Sequence, residues 1–89
     1  MRAVITVIGK DTVGILAKVT GICADNGVNV MDVSQTIMQD LFAMTMLADI
    51  SRLKGTFGAF SDKLKDLGVT LNLQIHVMHE DIFNSMHRI

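Results

Sequence analysis

Tryptophan, tyrosine and proline are absent from this chain of 89 residues, which holds a single cysteine and a single glutamate. The lone thiol, Cys23, excludes an internal disulfide, and its place between Ile22 and Ala24 in a helical pattern reads as a buried structural group. Four phenylalanines are the only aromatic side chains, too few to stack a run of bases. The eight Lys and Arg residues are scattered and the net charge is −1, so nucleic acid is not an expected partner. A membrane span needs about 18 uninterrupted apolar residues. Lys10, Asp11, Lys18, Asp25 and Asp32 break up the N-terminal half, so no membrane partner is expected. Met1 to Val7 runs directly into a strand pattern with no secretory leader, from which a cytoplasmic location is expected. There is no Ser-His-Asp or Cys-His arrangement at a suggestive spacing, and no phosphate-binding glycine loop with lysine. A non-catalytic role without a cofactor is therefore expected.

What is present is apolar patterning. Hydrophobic residues make up 49% of the chain, yet its length allows only one core, close to the size at which a core is marginally stable. Help from a second copy is a natural expectation. The seven methionines read first as core filling.

Ala3 to Ile8 forms a β-branched run that stops at Gly9. From Thr12 to Asp25, the apolar residues Val13, Leu16, Ala17, Thr20, Cys23 and Ala24 recur at spacings of three and four, and Asn26-Gly27 supplies a left-handed stop. Val28 to Gln39 and Leu41 to Ser51 read as two strands of a hairpin, with Phe42, Met44, Met46, Ala48 and Ile50 on one face. Leu53, Phe57, Phe60, Leu64 and Leu67 align on a second helix that Gly68 is expected to end, with Gly55 and Gly58 loosening its start. Val69 to Val77 alternates as a last strand, and Ile82, Phe83, Met86 and Ile89 give residues 79–89 a short amphipathic helix.

The sum is one α+β domain, a ferredoxin-like β-α-β-β-α-β sandwich with a C-terminal helical extension. Right-handed crossovers place both main helices on one face of a four-stranded antiparallel sheet, with the first and third strands central. The second strand is then an edge. An edge as apolar as Val28 to Ile37 invites pairing with another chain, so a symmetric homodimer is expected.

At the junction of first strand and first helix, Gly14 falls at about the third helical position, with Asp11 able to cap the helix. A missing side chain there opens the free backbone N–H groups to an anion or carboxylate.

Asp11-Thr-Val-Gly14-Ile-Leu-Ala17 after a strand, with Asn26-Gly-Val-Asn29-Val at the helix exit, resembles the ACT domain, a regulatory module that binds small ligands, commonly amino acids. The resemblance covers Met1 to about Met78, and the tail is similar to that of small stand-alone bacterial and archaeal members. It implies a ligand held between two domains by Lys10, Asp11, Thr12, Val13, Gly14, Ile15 and Asn29. It also implies a regulated enzyme or regulator protein as partner. Backbone N–H groups from Val13 to Ile15 suit a carboxylate, and Asp11 or the Asn29 carbonyl suits an ammonium. Val13 stands where the family often has proline, which leaves the loop less rigid.

A plainer reading stays open beside it: Asp11 only caps, Gly14 only permits close packing, Asn29 only satisfies local backbone, and the domain serves assembly alone. His76, His79 and His87, with Glu80 and Asp81 near, lack the four-residue spacing that puts two rings on one metal, so a solvated polar face is expected and no metal.

Overall fold

The computed structural model describes residues 1–10 and 13–86. Its elements are β1 (Arg2–Lys10), α1 (Ile15–Asp25), β2 (Asn29–Met38), β3 (Leu41–Asp49), α2 (Phe57–Leu71), β4 (Leu73–His79) and α3 (Glu80–Met86). The strands make one antiparallel sheet in the order β2-β3-β1-β4. The first and third strands are central and β2 and β4 are edges, as right-handed crossovers require.

Strand alternation sends Ala3, Ile5 and Val7 of β1, Phe42, Met44, Met46 and Ala48 of β3, and Leu73 and Ile75 of β4 into a single core. Ile15, Val19 and Cys23 meet it from α1 at intervals of four, and Phe60 and Leu64 from α2. α1 packs beside β2, and α2 beside β4. Met44 and Met46 are indeed core fillers, whereas Met31 and Met38 are 52% and 63% exposed on the β2 edge. Burial pushes the Cys23 thiol up to about 11, so it stays a protonated, inert core group.

Gln39 and Asp40 close the β2–β3 hairpin, with Gln39 left-handed at φ 57°. α3 lies against β1 and β4, and Arg2 Nη2 donates to Glu80 Oε1 at 2.8 Å. Val4, which alternation turns away from α1 and α2, is nonetheless buried.

Several boundaries differ from expectation. β1 continues through Gly9 to Lys10, and Gly9 fits because its bare Cα lies against Leu73 of β4. α2 begins at Phe57, excluding Leu53, and Thr56 caps it by accepting from the Ala59 N–H at 3.1 Å. Gly68 does not end α2 but sits buried within it, where a Cβ would stand 2.7 Å from the Leu73 carbonyl oxygen. The helix instead stops at Asn72, left-handed at φ 57°, so Val69 and Leu71 are helical and β4 starts only at Leu73. The expected tail helix is present as α3, while His87 and Ile89 lie outside the described residues.

Candidate functional site

Two of the expected site residues, Asp11 and Thr12, lie outside the described residues. Around them, Lys10 ends β1, Val13 is 98% exposed, and Ile15 opens α1 as a buried core residue. Gly14 is not in the first helical turn. It is the N-cap itself, left-handed at φ 85°, while the capping expected of Asp11 falls on a residue outside the described ones. The glycine answers a backbone need, since positive φ strains any residue with a Cβ. Among the described residues, a Cβ on Gly14 would meet nothing within 4 Å.

The structure does not bring Asn29 to this loop within one chain. Lys10 pairs with Leu41, and Leu41 with Met38, at one end of the sheet. Asn29 pairs with Asp49, and Asp49 with Arg2, at the other end. Eight residues of strand separate the two levels, about 26 Å at ~3.3 Å per residue.

Asn29 belongs instead to a corner built by two turns. Gly27, left-handed at φ 74°, lets the α1–β2 turn approach the β3–α2 loop so closely that a Cβ would stand 2.4 Å from the Arg52 carbonyl oxygen. Asn26 ties the corner together. Its carbonyl accepts from the Lys54 N–H at 2.8 Å, its side-chain oxygen accepts from Lys63 Nζ at 2.8 Å, and its side-chain nitrogen donates to the Ile22 carbonyl at 2.7 Å. Above this lies an open cavity of about 490 Å³ lined by Gly27, Asn29, Asp49, Ser51 and Arg52. The Ser51 N–H donates to Asp49 Oδ1 at 2.9 Å and holds the Asp49 carboxyl below the usual carboxylate range. Sequence reading passed over Asp49, Ser51 and Arg52, because only the pairing of Asp49 with Asn29 puts them beside a residue already singled out.

A second cavity of about 730 Å³ lies between the start of β1 and α3, lined by Met1, Arg2, His79, Glu80, Asp81 and Ile82. Its guanidinium is already engaged, Arg2 Nε and Nη2 both donating to Glu80 Oε1 at 3.1 and 2.8 Å. His79 is not simply solvated: its ring stacks on Phe57 at 4.2 Å with planes 18° apart. Among the described residues no three His, Cys, Asp or Glu side chains are placed to hold a metal, and no helix is long and apolar enough to cross a membrane.

The ACT-domain family model matches residues 2–78, from the start of β1 to the last residues of β4. This chain belongs to the ACT-domain family. Within it, a UPF0237 protein of Clostridium perfringens is 51% identical over 89 residues, covering 100% of both chains. A UPF0237 protein of Methanocaldococcus jannaschii is 49% identical over 88 residues, covering 99% of this chain and 98% of its own. Among solved structures, an ACT domain protein from Streptococcus pneumoniae superposes with a TM-score of 0.79 at 38% identity, covering 93% of each chain. ACT domains are regulatory small-molecule-binding modules.

Proposed function

We propose that this ACT-domain protein is a non-catalytic, cytoplasmic sensor that binds an amino acid or a similar small polar metabolite across a homodimer seam and passes its occupancy to an enzyme or regulator. The observation that carries the reading is the split just described. Lys10 and Asn29 occupy opposite ends of the sheet, too far apart for one small molecule to touch both within a chain. Antiparallel pairing of two β2 strands about a twofold axis would run Asn29 of one copy toward the Met38 end of the other, which is the end carrying Lys10 and Gly14. The edge suits such pairing: β2 is ten residues long and exposes Met31, Ile37 and Met38. Val13, almost wholly exposed, would gain cover at the same seam.

The loop's contribution is positional. The first N–H groups of α1 have no partner within the helix, Gly14 adds no side chain, and the helix start favours a carboxylate. Coupling follows from linkage: a ligand that touches both copies favours the paired arrangement over any other, by its difference in affinity for the two.

Thermal unfolding across a panel of common amino acids and nucleotides tests this. A ligand at a hundred times its dissociation constant stabilises by about 2.7 kcal/mol, a rise of about 10–20 °C for a domain of this size. Gly14→Asp should erase that rise while gel filtration still shows the dimer, because an aspartate tolerates left-handed backbone but puts a charged side chain into the space left for the ligand. An unchanged affinity in that variant removes the loop from the site. The same exposed edge also supports a reading as an assembly module without a ligand, and a panel in which nothing shifts the midpoint favours that reading.

A further inference from the structure

We infer that the corner cavity beside Asn29 is the half of the site that reads charge: the Arg52 guanidinium takes the carboxylate of an α-amino acid and the Asp49 carboxylate takes its ammonium. This rests on the sensor reading above and assigns residues and roles within it.

The cavity of about 490 Å³ brings an anion and a cation together, the pattern a zwitterion needs and a neutral metabolite does not. Asp49 is held in place by the Ser51 N–H. Arg52 is exposed, and among the described residues its guanidinium makes no hydrogen bond or ion pair. The Asn29 side-chain amide is likewise unspent among the described residues and stands beside Asp49 across the β2–β3 ladder, with a carbonyl and an NH₂ to add to either charge. The neighbouring cavity at Arg2 offers no such pair, because its guanidinium is neutralised by Glu80.

Rigidity completes the case. The backbone at Arg52 abuts Gly27, and the facing turn is clamped by the hydrogen bonds of the buried Asn26. A ligand therefore meets a wall whose backbone is already in place, so little ordering cost is charged against binding.

Isothermal titration with the twenty α-amino acids comes first, then with the amide and the N-acetyl derivative of whichever one binds. Wild type should bind the free amino acid at least tenfold tighter than either derivative. Arg52→Met should weaken the free amino acid at least tenfold and bind it no better than its amide. Asp49→Asn, which keeps the oxygen that accepts from Ser51, should do the same with respect to the N-acetyl form. Unaltered melting temperatures in both variants would exclude unfolding as the cause. If an amino acid binds and both variants bind it as wild type does, the corner is not the site, though the sensor reading stands. If none of the twenty binds wild type, the sensor reading itself fails for amino acids, and this inference with it.

Discussion

Replacing Phe60 by alanine is expected to cost about 3–5 kcal/mol, the range for removing a buried phenylalanine from a core that cannot collapse around the gap. The side chain is 1% exposed and stands among the largest fully buried groups, facing the sheet from the middle of the helix layer. Whole-domain stability for a chain of this length is about 4–13 kcal/mol. The change therefore removes between about a quarter and all of it. Urea unfolding checks this: the midpoint should fall sharply with the slope unchanged, which separates lost stability from an altered unfolded state. A midpoint within experimental error of wild type would mean that α2 is not seated as described.

Gly27→Val is expected to be nearly as damaging, by a different mechanism. The residue is left-handed at φ 74°, and its Cβ would fall 2.4 Å from the Arg52 carbonyl oxygen, a backbone atom that no rotamer change can move aside. Left-handed backbone costs an L-residue about 1–2 kcal/mol, and overpacking adds about 1–3 kcal/mol, so about 2–5 kcal/mol in all. For a domain of this size that lowers the melting temperature by roughly 8–40 °C. Gly14→Val makes a useful contrast, since the same left-handed penalty applies at φ 85° with no atom of the described residues within 4 Å. It should cost only the backbone share. Equal losses at the two positions would show that the close contact at Gly27 does not matter.

Much of the architecture was legible because the periodicities were clean. The alternation of Phe42, Met44, Met46 and Ala48 marks a buried face directly, whereas the stripe expected on α1 was set on the wrong side: Val13, Leu16, Ala17 and Ala24 are exposed, and Ile15, Val19 and Cys23 are buried. Gly68 misled because a glycine within a helix resembles one that stops it. Only the approach of Leu73 and Ile75 shows that it spaces the helix from β4. Val69 and Leu71 then fell into a false strand pattern, since the alternation of β4 could be extended backward through the last turn of α2.

The site was harder to see for a reason of topology. Asp11-Thr-Val-Gly14 and Asn29 look like one constellation along the chain, but where a helix joins two parallel strands, the end of the first strand and the start of the second lie at opposite ends of the sheet. The expected β-α-β order already implied that separation, and reading the motif as a unit obscured it. Asp49 and Arg52 carried no motif at all. They emerge only through the ladder that sets Asp49 beside Asn29 and the turn contact between Gly27 and Arg52.

The distance between Gly14 and Asn29 has one more consequence under the proposed pairing. Each chain would own the first part of one receptor and the last part of another, so a solitary protomer would own neither. Saturation would then vary with the amount of protein as well as of metabolite, because diluting the dimer dismantles the receptor itself.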